Sequence, residues 1–169
     1  MISKKMQDAL NGQVNAEMYS AYLYLAMNAY FQSINFNGFA RWMMVQYKEE
    51  MIHAMKIYNF IAERGGRIEL EAIDKPKDEW KSPLAVFEAV YKHEQKVTSL
   101  INDLVELAVK EKDHAAGIFL QWFVSEQVEE EKNASEIVAK LQLLKDSAGS
   151  MYMLDKELGK RTAEKEGGE

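Results

Sequence analysis

Apolar residues return every three or four positions through most of this chain. At a few places the returning residue is a carboxylate, an imidazole or an amide instead. The period is that of amphipathic helices. A first helix is expected from about Ser3, a plausible N-cap, to Phe31. Leu10, Val14, Glu17, Tyr24 and Phe31 share its inner face, and Glu17 is the one charge among them. A second runs from about Asn37 to Arg64, closed by a left-handed stop at Gly65-Gly66. Its stripe contains Phe39, Met43, Ile57 and Phe60, interrupted by Glu50 and His53, which lie one turn apart on one face. A third begins at Ser82-Pro83, cap and first helical position, and runs to about Lys112. Glu94 is the one charge in its stripe of Phe87, Val90, Val97, Ile101, Leu104 and Ala108. A fourth runs from the cap Asp113 to about Leu144, with Gln127 and Glu130 interrupting Leu120, Phe123, Ala134, Ile137 and Leu141.

Two connections set the architecture. The third and fourth helices are joined at Asp113-His114, so they are antiparallel. Between the second and third lies Gly65 to Ser82, with Pro76 and no helical period, long for a compact domain. At ~3.3 Å per residue it reaches about 50 Å, and each long helix measures about 40 Å at ~1.5 Å per residue. The crossover can therefore travel the length of a bundle, which makes the second and third helices parallel, and neighbours. After Ala148-Gly149-Ser150 a short apolar helix is expected over about 151–159, too short to stand alone. The charged tail 160–169 is expected to be mobile. The whole is one all-α domain, 1–169, whose four-helix bundle occupies about 3–144.

Composition narrows the chemistry. The chain has no cysteine, which excludes thiolate zinc and iron–sulfur sites. No signal peptide is visible at the start, and the most apolar run, Met18 to Phe31, is too short to span a bilayer. A cytoplasmic protein without a membrane partner is expected. The net charge of −6 argues against nucleic acid held through phosphates.

The polar interruptions all fall near mid-helix, where chain direction does not matter, so they meet at one level of the core. Single accidents on four stripes explain this poorly. Four carboxylates in one small core site cannot all stay ionised without cations. Two divalent metals would balance them, with Glu50 the best candidate to bridge. Oxygen-rich ligation with one imidazole suits iron or manganese, and zinc could compete. Carboxylates from two helices with Glu-x-x-His from others is the arrangement of di-iron carboxylate bundles.

The residues Asn15-Ala16-Glu17 with Tyr24, Glu49-Glu50-Met51-Ile52-His53, Glu94 and Glu126-Gln127-Val128-Glu129-Glu130-Glu131 resemble the prokaryotic non-haem ferritins, nearly over the whole length. So do Arg64-Gly65-Gly66-Arg67 and Leu154-Asp155-Lys156-Glu157-Leu158. The resemblance implies a ferritin-like fold and a hollow cage of 24 identical chains. It implies iron held by Glu17, Glu50 and His53, a second iron by Glu50, Glu94 and Glu130, and Gln127 and Tyr24 in the immediate surroundings. Glu49, Glu126 and Glu129, with Glu130, resemble a third iron site. Without the resemblance those three would read as a solvated acidic face. A symmetric site would carry His at 130 and Glu at 127. This chain departs from that, and so resembles ferritins with two unlike metal sites more than bacterioferritins. Met51 stands where bacterioferritins hold haem, but reads as a packing methionine.

The activity implied is iron storage with ferroxidase chemistry, Fe(II) and O2 being the substrates. Two electrons reduce O2 to peroxide, one from each iron, and the bridging carboxylate holds the pair oriented. Tyr24 would supply an electron or a hydrogen bond. The alternatives are a haem-containing bacterioferritin-like store, a non-catalytic shell subunit, which should have lost several ligands, and a DNA-protecting mini-ferritin, which should lack the fifth helix. His93 and His114 are assigned no metal role.

Overall fold

Side chains start four of the helices. In the computed structural model, which describes residues 1–144 and 147–162, the Ser3 hydroxyl accepts the Met6 N–H at 3.1 Å and opens α1, Lys4–Ser33. The turn into α2, Asn37–Glu63, passes through Asn35 at φ 62°, a left-handed position that asparagine tolerates. Gly65, at φ +71°, closes α2 as its sequence implied. Ser82 caps α3, Pro83–Glu111, by accepting the Ala85 N–H at 3.1 Å. Asp113 caps α4, His114–Leu144, by accepting from Ala116 at 3.0 Å. The fifth helix, α5, spans Ala148–Leu158 rather than 151–159. Ser147 caps it, so Ala148-Gly149-Ser150 form its first turn and not a linker.

Helices α1 and α2 pack as one antiparallel pair, α3 and α4 as another, and α1 also lies against α3. The long connection travels the length of the bundle as expected, and it does so along α1. Three α1 side chains, four residues apart, hold its backbone. The Gln7 side-chain carbonyl accepts the Arg67 N–H at 2.8 Å, and Asn11 both donates to the Arg67 carbonyl (3.0 Å) and accepts from the Glu69 N–H (3.1 Å). Asn15 donates to the Ala72 carbonyl at 3.0 Å. Further up, the Trp80 ring meets Tyr30 edge-on at 5.4 Å. At the far end Arg64 forks onto Asp113 at 3.0 and 3.1 Å, tying the end of α2 to the start of α4.

This route makes α2 and α3 parallel, but they are not neighbours. They stand diagonally, and the Trp42 and Phe87 rings meet across the core at 5.1 Å. The neighbour of α2 on that side is antiparallel α4, through Phe60 stacked on Phe119 at 3.9 Å and His53 against Trp122 at 5.3 Å. Crossover length fixes the direction of a helix, not the corner it occupies.

Apolar packing divides in two. One cluster, including Phe31, Phe39, Phe87, Ile137 and Leu154, fills the end near α5. The other, including Leu10, Ile57, Ile101, Leu120 and Phe123, fills the opposite end. The four long helices are 27 to 31 residues long and reach through both. The fifth helix docks on α2 at a very close approach. A Cβ on Gly38 would lie 1.7 Å from the Asp155 carbonyl oxygen, and Asp155 Oδ1 accepts the Phe39 N–H at 3.0 Å. No helix among the described residues is long and apolar enough to cross a membrane.

Candidate metal centre

The layer between the two apolar clusters is polar, and it is where the interrupted stripes meet. Glu17, Glu50, His53, Glu94, Gln127 and Glu130 are all buried. Helices α1, α2, α3 and α4 supply them from mid-length. Among the described residues, Glu17, Glu50 and His53 form a group whose ligand atoms all lie within 4.8 Å of one another. His53 Nδ1 stands 3.4 Å from Glu50 Oε2.

The other two carboxylates lie outside that tight group, each held by donors. Glu94 accepts from the Tyr24 hydroxyl on one oxygen and from Gln127 Nε2 on the other, at 3.3 Å. Gln127 Nε2 also points at the Glu94 main-chain carbonyl (3.2 Å) and Thr98 Oγ1 (3.3 Å), and Thr98 in turn donates to Glu131 at 2.6 Å. Gln46 Nε2 donates to Glu130 at 3.0 Å. Gln13 Nε2 donates to Glu17 at 2.8 Å. Tyr24 and Gln127 therefore both touch Glu94, and Gln13 and Gln46 bond to carboxylates of the same layer. The spacing signal for Gln13 was available: it stands four residues before Glu17, on the same face.

Charge is the governing fact of the layer. Burial, then the Glu50 charge, push the Glu17 carboxyl up to about 8. Burial, then Glu94 and Glu130, push Glu50 well above the carboxylate range. Glu130 rises to about 8 through burial and Glu94, with Arg161 opposing. Glu94 rises to about 7 by burial, restrained by its bonds from Tyr24 and Gln127. Burial, then Glu94, also raise the Tyr24 hydroxyl far above its usual value. Without a cation the site must therefore hold protons. With Glu17 and Glu50 both ionised, the buried Glu17 Oε2 has no donor. A proton shared between them, or a cation, supplies what is missing. Hard oxygen donors with one imidazole, arranged around an orphaned oxygen, fit a divalent cation.

The residues set apart as a third site are placed differently. Glu49 is buried, Glu126 half-buried and Glu129 exposed. Glu49 Oε2 accepts from Arg161 Nη2 at 2.6 Å, with the guanidinium 4.5 Å from the Trp42 ring centre. Arg161 thus lies packed on the bundle, not in a mobile tail. The rest of that expectation falls on residues 163–169, outside the described residues. His93, next to Glu94 in the chain and given no metal role, is half-buried. It pairs with Ser20 Oγ at 2.8 Å between the Tyr19 and Tyr24 rings, and burial lowers it to about 4.

The family model for a ferritin-like domain matches residues 7–144. The chain belongs to the ferritin family. It is 45% identical over 161 residues to a bacterial non-heme ferritin of Bacteroides fragilis, covering 95% of this chain and 100% of that one. A bacterial non-heme ferritin of Staphylococcus aureus is 40% identical over 166 residues, 98% of this chain and 100% of that one. Among solved structures, an open pore ferritin from the hyperthermophilic archaeon Archaeoglobus fulgidus superposes with a TM-score of 0.95 at 56% identity, covering 96% of this ferritin and 100% of that chain. A closed form of the Archaeoglobus fulgidus ferritin, engineered by site-directed mutagenesis, gives 0.96 at 55%, covering 97% and 100%. The bundle with its crossover and short fifth helix is thus the ferritin-like fold.

Proposed function

We propose that this ferritin stores iron, oxidising Fe(II) with O2 at the buried layer and holding the Fe(III) as mineral inside a hollow homo-oligomeric cage in the cytoplasm. The observation that carries the proposal is the joint burial of Glu17, Glu50 and His53 within 4.8 Å, with Glu94 and Glu130 in the same layer. Fe(II) is the substrate. One ion is taken by Glu17, Glu50 and His53, the other by Glu50, Glu94 and Glu130, with Glu50 between them. Two bound Fe(II) give up two electrons, the number that takes O2 to hydrogen peroxide with two protons. The carboxyls that hold protons in the metal-free layer release them as iron binds.

Tyr24 and Gln127 orient Glu94, and Gln46 orients Glu130, so the two ligands that the second ion does not share with the first are aimed before it is bound. A third cation, held by Glu49, Glu126 and Glu129 with Glu130, belongs to the same reading, as does a cage of 24 chains supported by the cage-forming family. The names of the relatives support storage without haem.

The test is iron oxidised per chain in the first fast phase after Fe(II) is added to metal-free protein in air. About two per chain is expected, because the layer offers two ligand sets. No fast phase would leave a shell subunit and refute the oxidase reading.

A further inference from the structure

Arg161 stands just beyond the fifth helix, half-buried, with its guanidinium turned onto the bundle. Two contacts place the guanidinium and a third holds its backbone. Its Nη2 donates to Glu49 Oε2 at 2.6 Å, its plane covers the Trp42 ring at 4.5 Å, and its carbonyl accepts from Arg41 Nε at 3.3 Å. The helix that delivers it is anchored in turn. Gly159 Cβ, if present, would sit 3.2 Å from Gly38 Cα, and Asp155 holds the Phe39 N–H, so the chain leaves α5 at a fixed point above the first turn of α2. From there Arg161 reaches down to Glu49, the residue preceding Glu50.

We infer that Arg161 is a tethered resident cation of the third site, which neutralises Glu49 and must swing away before a divalent ion can use that carboxylate. The inference rests on the reading of Glu49, Glu126 and Glu129 as cation ligands given above. Its physical content is competition. A guanidinium on Glu49 removes one ligand oxygen and adds a positive charge beside the place a second cation would enter. Both effects fall first on the third site; the same positive charge also faces Glu130, which the third site shares with the pair. Because the arm is tethered through α5, it returns whenever the ion leaves, without a diffusing competitor. Arg161 is therefore a positioning residue. It sets how many cations each chain holds at low concentration, and it couples departure of an ion from the third site to the C-terminal segment.

Zn2+, which undergoes no redox change, is the probe. Isothermal titration of the metal-free assembled protein counts equivalents per chain, with size exclusion confirming assembly. The wild type is expected to bind two tightly and a third weakly. Arg161→Gln should tighten the third at least tenfold, leave the Glu17–Glu50–His53 equivalent unchanged, and shift the Glu130-bearing one by far less than the third. Adding Glu49→Gln to that variant should abolish the gain. Arg161→Met keeps the aliphatic stem over Trp42 and serves where glutamine weakens assembly. Arg161→Lys, which keeps the charge, should restore the weak third equivalent. A third equivalent of the same strength in wild type and both neutral variants overturns the inference, and so does its absence from all of them. Fewer than two tight equivalents in the wild type would instead overturn the paired-ion reading, which the first part of the isotherm reports separately.

Discussion

Raising the pH should destabilise the metal-free protein, opposite to the usual behaviour of paired carboxylates. Glu17 has an ordinary value of 4.5 and sits at about 8 in the folded chain, Glu130 likewise at about 8, and Glu94 at about 7. The folded state holds these protons more tightly than the unfolded state. Stability from each group is therefore complete below 4.5 and is lost as the pH climbs through its folded value. One unit corresponds to about 1.4 kcal/mol, so the rise at Glu17 alone amounts to roughly 5 kcal/mol between pH 4.5 and 8. The three groups interact and do not sum. For a chain of this size ~1 kcal/mol moves the midpoint by about 2–4 °C, so a drop on the order of 10 °C is expected from pH 5.5 to 8. The assay is circular-dichroism melting of chelator-treated protein at fixed ionic strength, beside Glu17→Gln. The glutamine variant should show a visibly shallower fall, because one of the three protons no longer has to leave. Saturating Zn2+ should flatten or reverse the slope, since the metal binds the ionised ligands. A melting point that does not fall with pH, or a Glu17→Gln slope equal to wild type, would refute the electrostatic account of the layer.

Other substitutions probe single contacts. Glu130→Ala should abolish the fast phase of iron oxidation while size exclusion still shows the assembled particle; an unchanged rate removes Glu130 from the site. Tyr24→Phe takes a donor from Glu94 and should weaken the second Zn2+ equivalent several-fold with little effect on the first, as calorimetry would show. Gly38→Ala forces a Cβ to within 1.7 Å of the Asp155 carbonyl, so α5 must shift; a loss of about 2–3 kcal/mol and faster proteolysis after residue 144 are expected. Asn11→Ala removes two hydrogen bonds to the crossover, worth about 1 kcal/mol each, and should raise amide exchange at Glu69 without changing iron oxidation.

The site was legible in the sequence because burying a charge breaks a pattern that is otherwise easy to read. Glu94 stands alone in a stripe whose other members are Val, Ile, Leu, Phe and Ala, and nothing but a shared polar layer accommodates it. Glu50 and His53 are legible for the same reason, and their helices place them at one depth whichever way each runs. What was not legible depends on lateral geometry. The diagonal standing of α2 and α3 cannot be read from the length of the crossover, because a strand of that reach can end at either corner. Gln46, like Gln13, stands one turn before a carboxylate of its own helix, Glu50, but it bonds to Glu130 on another helix, and no spacing within α2 points to that partner. Gln13, one turn from Glu17, could have been found. The start of α5 was misplaced because Gly149 looked like a linker; in a first turn a glycine costs little, since those amides have no partner within the helix in any case. Arg161 was hidden in a run of charges, and only the docking of α5 turns it inward.

The polar layer also explains why the helices are so long. Glu17, Glu50, Glu94 and Glu130 withdraw the middle of the core from apolar packing, and without cations each opposes folding unless it keeps a proton. A short bundle with this layer would have a core that is mostly layer. Here Phe31, Phe39 and Phe87 close one end, and Leu10, Ile57 and Phe123 close the other. Each helix therefore runs through two apolar plugs, and the layer is clamped between them. Water is kept away from both sides of the layer, which is what lifts the carboxyls and leaves them eager for a divalent ion. The crossover contributes to the same end. Gln7, Asn11 and Asn15 strap it along α1, so that α3 enters beside the apolar plug near α5 and brings Glu94 to the depth of Glu17. A shift of one turn in that entry would carry Glu94 about 5.4 Å along the axis, beyond Tyr24 and Gln127, and the polar layer would lose a carboxylate although every helix remained intact.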